Sequence, residues 1–181
     1  TGGIGSGKTT VSKIFSILGV PVFNSDRYSK DILVNNTSVR SVILKTFNLQ
    51  KIDNKKLASI VFKDKTKLNV LNQILHPIVL EKFNIWASEQ KSKYIIKESA
   101  ILFESGNAAR LDKIILVKSP LKLRIKRITK RDNKSIQEIK NIISNQTKAI
   151  KSRVDYIINN SESDLLINQI ITIHNTITSE L

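Results

Sequence analysis

The sequence predicts an α/β fold in which helices pack on a parallel sheet. Short β-branched segments alternate with helical stretches along the chain, an order typical of right-handed crossovers between parallel strands. A glycine-rich turn at the N-terminus, TGGIGSGKTT, is followed at once by an amphipathic helix. The mostly helical stretch at 27–92 is too long for a simple crossover and predicts an inserted helical subdomain.

The first helix follows the glycine-rich turn. Its apolar residues recur at i, i+3, i+4 and i+7, which is the spacing of one helical face. These residues are Val11, Ile14, Phe15 and Leu18. Gly19 and Pro21 are typical of the end of a helix, and the apolar run at 20–23 predicts a short buried strand.

Three later segments predict further strands, at 94–99, 112–117 and 155–160. The chain contains no methionine, even at position 1, so we expect residues before Thr1 to be missing and the first strand to lie there. With that strand, the parallel sheet would have five strands.

The predicted domain organisation follows from these elements. Residues 1–26 and 93–181 form the core, with a lid at about 119–150, and residues 27–92 form the inserted subdomain.

Composition limits the classes of protein to consider. The chain has 181 residues, of which 40% are hydrophobic, enough for one domain with a small insertion. No apolar run is long enough to span a membrane, and the lack of cysteine fits the reducing cytoplasm, where we expect the protein to act. The net charge of +15 indicates either a polyanionic partner, nucleic acid or a ligand with several phosphates, or compositional drift.

The pattern Gly2-x-x-x-x-Gly7-Lys8-Thr9 matches the phosphate-binding P-loop motif in full. In such a loop, backbone N–H groups and the following helix N-terminus surround a phosphate. The lysine contacts the β- and γ-phosphates, and the hydroxyl can bind Mg²⁺. We therefore predict that ATP and Mg²⁺ bind here, with Thr9 as the metal ligand. The predicted nucleotide-binding residues are Gly3, Ile4, Gly5, Ser6, Gly7, Lys8, Thr9 and Thr10.

Asp26 comes shortly after the strand predicted at 20–23, in the run FNSDRYSK. Ligands of doubly wound sheets bind outside the carboxyl ends of the strands, so a carboxylate here could accept a proton from an attacking hydroxyl. Ser25 or Asp26 could equally be the N-cap of the next helix. Spacing alone leaves both interpretations open.

The segment at 118–132 contains seven basic residues before its first acidic one. Arg127 and Arg131 are four residues apart and share one helical face, and planar guanidinium groups match phosphate oxygens well. This helix could close over ATP as a lid. A solvated basic face is the alternative.

Three further polar residues are candidates for the site. His76 precedes Pro77, which predicts a helix boundary, and a lone histidine is more often a cap or core residue than a catalyst. Glu98 and Glu104 flank the end of the strand predicted at 94–99. Either glutamate could orient Mg²⁺ through water or bind substrate.

Several stretches together resemble the dephospho-CoA kinase family. They follow the family's order over nearly the whole chain: TGGIGSGKTT, LGVPVFNSD, ILHPIV, ESAILFESG, KRITKRDN, SNQ and DYIINN. The resemblance implies a three-layer P-loop kinase core with an inserted helical substrate domain and a helical lid. It also implies transfer of the ATP γ-phosphoryl group to the ribose 3′-hydroxyl of dephospho-CoA.

The resemblance further implies roles for individual residues. It favours Asp26 as the general base and Arg127 and Arg131 as lid arginines on the ATP phosphates, acting together with Lys8. It places His76 in the substrate domain. The expected substrate contacts are Asp26, His76 and Glu104.

The chain departs from the family at Asn24 and Ser25, where an Asp and an Ala are usual, so Asp26 alone remains of an acidic pair. The alternatives are another P-loop kinase of small molecules or nucleotides, or a nucleic-acid-binding P-loop protein. The basic segment lacks interleaved aromatics that would stack single strands. We expect dephospho-CoA as partner, no specific nucleic acid, no membrane, and a monomer or weak oligomer.

Overall fold

The computed structural model describes residues 1–61, 64–103, 106–132, 135–146 and 154–181. The helices are α1 Lys8–Ile17, α2 Ser25–Asn35, α3 Thr37–Thr46, α4 Asn54–Val61, α5 Lys65–Ser88, α6 Leu121–Asp132, α7 Ile136–Gln146 and α8 Leu166–Glu180. The strands are β1 Val22–Asn24, β2 Ile96–Glu98, β3 Ile115–Lys118 and β4 Tyr156–Asn159, and a 3₁₀ turn spans Asn107–Arg110. The chain divides into two compact units, one of residues 1–23 and 90–181 and the other of residues 24–89.

Within the described residues the strands form two pairs, β1 with β2 and β3 with β4. The β3–β4 pair is parallel, with Ile115 opposite Tyr156. The described residues thus form two sheets of two strands each, and the predicted single sheet of five strands is not shown by them. The α/β character and the approximate positions of the four strands agree with the prediction.

Thr1 forms hydrogen bonds with β3 and with the residue that follows β2. Its backbone nitrogen donates a hydrogen bond to Ile115 O at 2.8 Å, and its carbonyl accepts one from the N–H of Val117 at 2.8 Å. Its hydroxyl donates to Ser99 O, just beyond β2, also at 2.8 Å. The alternation of donor and acceptor along β3 is the pattern of a strand residue.

The core of the first unit forms where α1 and α8 pack against the strands. The predicted apolar face of α1 is confirmed: Val11 and Phe15 are buried, and Ile14 and Leu18 pack against the same cluster. Gly19 has a φ of 84°, and its N–H donates to Ser16 O while Val20 N–H donates to Phe15 O, both at 3.1 Å. This pair of bonds is a Schellman motif, so α1 ends at the predicted glycine.

The second unit consists of α2 to α5, and side-chain caps begin its helices. Asn24 Oδ1 accepts from the N–H of Arg27 at 2.8 Å to cap α2, and Asn36 caps α3 in the same way. The helix boundary predicted at His76-Pro77 is wrong, since α5 continues through Pro77. Proline removes one backbone donor without ending the helix when packing on both sides holds it. Leu75 and Val79, on either side of Pro77, are both buried.

No helix in the described ranges combines the length and apolar character that crossing a bilayer requires.

Replacing Phe15 by alanine tests the α1 packing. Phe15 is completely buried, so we expect the free energy of unfolding to fall by about 3–5 kcal/mol. The matched control is Ile17→Ala on the same helix, at a side chain that is 83% exposed, where we expect a change within about 0.5 kcal/mol. Urea denaturation followed by circular dichroism measures both, and equal losses would contradict this packing.

Candidate phosphate-binding site

The glycine-rich segment forms a loop that leads directly into α1. Gly5 and Gly7 adopt left-handed φ values of 75° and 92°, which residues with a Cβ rarely adopt. A Cβ at Gly3 would overlap the guanidinium of Arg124, and one at Gly7 would overlap the side-chain nitrogen of Asn160. Gly5 and Gly7 thus permit the turn, and Gly3 and Gly7 leave room for the close approach of these side chains.

Hydrogen bonds from side chains hold the first carbonyl groups of the loop. Lys8 Nζ donates to Gly2 O at 2.9 Å and to Gly3 O at 3.3 Å. Arg124 Nε, on α6, donates to Ile4 O at 2.8 Å. Burial of the Arg124 guanidinium holds its pKa below the usual value, but arginine stays protonated at any physiological pH.

The next two carbonyls are held in the same way. Arg127 Nη1 lies 3.4 Å from Gly5 O, and Asn160 Nδ2 donates to Ser6 O at 2.8 Å. In a planar trans peptide the N–H points opposite to the C=O. The bond that draws Ser6 O outward therefore directs the N–H of Gly7 toward the other side, as an anion nest requires, whereas the N–H of Ser6 donates to Gly3 O within the loop at 3.1 Å.

The start of α1 adds two features to this nest. The helix N-terminus contributes the positive end of its dipole, and Gly7 O accepts the first helical hydrogen bonds, from the N–H groups of Thr10 and Val11. Thr9 Oγ1 donates to Glu98 Oε1 at 2.7 Å. Glu98 is the last residue of β2 and is buried. A carboxylate and a hydroxyl thus meet beside the nest.

The basic helix α6 divides its cations between two environments. Arg124 and Arg127 are half-buried against the loop, and Arg127 also donates to Ser119 Oγ at 3.2 Å. Arg131 is exposed and bonds its neighbour Asp132 through Nε and Nη2, at 2.6 and 2.8 Å. Hydrogen bonding to the Asp132 carboxylate raises the pKa of Arg131. The solvated-face interpretation therefore fits only part of the helix.

The remaining predicted residues lie in other parts of the chain. Asp26 is half-buried in the first turn of α2. Because Asn24 caps that helix, the alternative that made Ser25 or Asp26 the N-cap is wrong. His76 is half-buried within α5, and Glu104 lies outside the described residues.

Sequence reasoning gave no role to Arg124 or Asn160, which both bond the loop. Asn160 directly follows β4, so its place after a strand end, where doubly wound sheets bind ligands, was the available signal. Arg124 is one of the seven basic residues of the segment at 118–132. Nothing in its spacing indicated that it would contact the loop backbone.

Comparisons with known proteins find dephospho-CoA kinases similar to this chain. The family model described as CoaE, dephospho-CoA kinase, matches residues 1–165. A dephospho-CoA kinase of Bacteroides fragilis is 37% identical over 179 residues, covering 94% of this chain and 87% of the relative. One of Fusobacterium nucleatum is 39% identical over 180 residues, covering 94% and 92%.

Solved structures are similar over almost the whole chain. A crystal structure of a Thermus thermophilus protein superposes with a TM-score of 0.81 at 26% identity, covering 99% of this chain and 94% of that one. The dephospho-CoA kinase of Campylobacter jejuni gives a TM-score of 0.63 at 28% identity, covering 99% and 95%.

Gly7→Ala tests whether the loop glycines make room for neighbours. A left-handed alanine costs about 1–2 kcal/mol. At position 7 the new Cβ would also displace Asn160 and break its bond to Ser6 O, adding roughly 1–3 kcal/mol. Gly19→Ala is the matched control, because Gly19 has a similar φ but open space around its Cβ position. We expect the larger drop in the unfolding free energy for Gly7→Ala, and equal drops would contradict the close approach.

Proposed function

Since the chain belongs to the dephospho-CoA kinase family, we propose that its reaction takes place at the glycine loop ahead of α1. The enzyme transfers the γ-phosphoryl group of ATP to the ribose 3′-hydroxyl of dephospho-CoA, the last step of coenzyme A synthesis. This assignment is favoured over a nucleic-acid-binding protein or a different small-molecule kinase. The observation that supports this site is that side chains outside the loop donate hydrogen bonds to the loop carbonyl oxygens.

The nucleotide phosphates bind the nest formed by residues 3–10. Lys8 is half-buried, with its ammonium on Gly2 O and Gly3 O, so it lies at the loop and is available to exchange a carbonyl for a phosphate oxygen. Its charge stabilises the negative charge that spreads over the γ-phosphoryl oxygens in the transition state. Phosphoryl transfer depends mainly on such positioning and electrostatic stabilisation.

Thr9 and Glu98 fit a magnesium site. Mg²⁺ prefers oxygen ligands and is held by one or two protein groups together with substrate phosphates. The 2.7 Å bond between Thr9 Oγ1 and Glu98 Oε1 brings two such oxygens together. No group of three or more His, Cys, Asp or Glu residues suited to a metal occurs in the described part of the chain. When bound, Mg²⁺ would neutralise charge on the β- and γ-phosphates.

Asp26 acts as the general base that takes the proton of the 3′-hydroxyl. It lies two residues beyond the carboxyl end of β1, the strand that pairs with β2, which is the edge where ligands of such sheets bind. Its carboxylate does not serve as the cap of α2, since Asn24 does so. A base in this role typically contributes about 10²–10⁴ in rate.

Arg127 and Arg131 contribute charge from the proposed lid at about 119–150. Support for Arg127 comes from its position against the loop, 3.4 Å from Gly5 O. Arg131 would have to leave Asp132 to reach a phosphate. Substrate binding by the second unit, including His76, and by Glu104 completes the proposal. It also includes a fifth strand in the sheet, a cytoplasmic location and a monomer or weak oligomer.

Lys8→Ala tests the nest. We expect kcat to fall about 10²–10³-fold, the size of losing a preorganised electrostatic group, together with weaker ADP binding. Lys13→Ala is the control, since Lys13 is exposed on the same helix and should leave both quantities unchanged. An ATP-dependent assay with dephospho-CoA and Mg²⁺ measures the rate. Normal turnover and ADP affinity in Lys8→Ala would remove the reaction from this loop.

Asp26→Asn tests the base. Turnover should fall by about 10²–10⁴ while ATP affinity stays close to that of the wild type, because only proton acceptance is lost. Asp31→Asn provides the control on the same helix, at an exposed carboxylate bonded to Asn35. Steady-state kinetics and ATP titration decide, and near-normal turnover of Asp26→Asn would exclude it as the base.

A further inference from the structure

We propose that Asn160 is a positioning residue for the nucleotide phosphates, acting through the backbone of the glycine loop and not by contact with the nucleotide. The proposal rests on the phosphate site proposed above. It adds a residue that lies outside the motif and follows β4.

Both ends of the Asn160 side chain are engaged. Asn160 is only 5% exposed. Its Nδ2 donates to Ser6 O at 2.8 Å, and its Oδ1 accepts from Arg127 Nη2 at 3.1 Å. Because one partner is an acceptor and the other a donor, the hydrogen-bond pattern fixes which end of the amide faces the loop.

The bond to Ser6 O determines the direction of one particular N–H group. Ser6 and Gly7 share a planar peptide, so drawing the carbonyl toward Asn160 aims the N–H of Gly7 the opposite way. That N–H lies at the start of α1, where the helix dipole also favours an anion. Asn160 thus sets the direction of a donor that the phosphate needs.

Gly7 makes this contact possible. A Cβ at position 7 would overlap Asn160 Nδ2, so the last glycine before Lys8 serves the approach of Asn160 as well as the left-handed turn. The same side chain steadies Arg127, whose other nitrogen bonds Gly5 O and Ser119 Oγ.

Direct recognition of the nucleotide base by Asn160 would have a different signature. The amide would first have to give up a buried bond to Ser6 O or to Arg127, and an unmade buried bond is costly. If Asn160 acts through the loop, its loss should weaken the binding only of ligands that carry a β-phosphate into the nest. Base recognition predicts that adenosine depends on it equally.

Asn160→Asp tests the donor, because the shape and the acceptor toward Arg127 remain while the N–H₂ group is lost. Asn159→Asp is the matched control, since it adds the same charge one residue earlier, at an exposed side chain. We expect the inhibition constant of ADP and the KM for ATP to rise roughly 10- to 100-fold in Asn160→Asp. Adenosine inhibition and the KM for dephospho-CoA should change less than about twofold, and Asn159→Asp should match the wild type.

A second variant removes the effect of added charge. Asn160→Ala should show the same selectivity for ADP over adenosine, with a rise of about tenfold in the ADP constant. If Asn160→Asp does not fold by circular dichroism, Asn160→Ala decides by the same criteria. Failure of both to fold would overturn the proposal, since the fold and not the nucleotide site would then require the residue.

The remaining outcomes separate this proposal from the one on which it rests. Equal losses for ADP and adenosine would overturn it in favour of base recognition, and equal behaviour of Asn160→Asp and Asn159→Asp would overturn it outright. If Lys8→Ala weakens ADP binding while both Asn160 variants bind normally, only the role of Asn160 fails. If Lys8→Ala binds ADP normally, the phosphate site itself fails.

Discussion

The glycine loop ahead of α1 depends on hydrogen bonds from outside it to its carbonyl groups. A loop that presents N–H groups to an anion must turn its carbonyls away, and a half-buried carbonyl without a donor would cost free energy. Arg124, Arg127 and Asn160 supply donors to Ile4, Gly5 and Ser6. The shape of the glycine loop is therefore a property of α6 and of the residue after β4 as much as of the motif.

Because the loop carbonyls need donors, part of the chain's positive charge has a structural role. Two arginines of the basic segment at 118–132 bond backbone oxygens of the loop, while its lysines at positions 122, 126 and 130 are exposed. Arginine suits the inner positions because its fixed fork can bond more than one acceptor at once, as Arg127 does with Gly5, Ser119 and Asn160. The overall charge of +15 thus combines a local structural role with a solvated face.

The predictions from sequence succeeded where the physical cause is local. The apolar spacing of α1 and its end at Gly19 depend on residues within a few positions of one another, and both are confirmed. The interpretation of His76-Pro77 as a helix boundary was wrong because packing around Pro77 overrides a local preference. The predicted sheet of five strands is not formed by the described residues, whose strands form two pairs instead.

By itself, the sequence determined the glycine loop and the helix behind it, because each depends on residues within a few positions of one another. It also determined the family, because seven stretches occur in the family's order over nearly the whole chain. Only the tertiary structure decided which side chains hold the loop, since Arg124 is 120 residues from Ile4 and Asn160 is 154 residues from Ser6. The pairing of Thr9 with Glu98, 89 residues away, was likewise decided by the fold. No local pattern encodes such contacts, because they exist only when strands and helices distant in the chain have packed together.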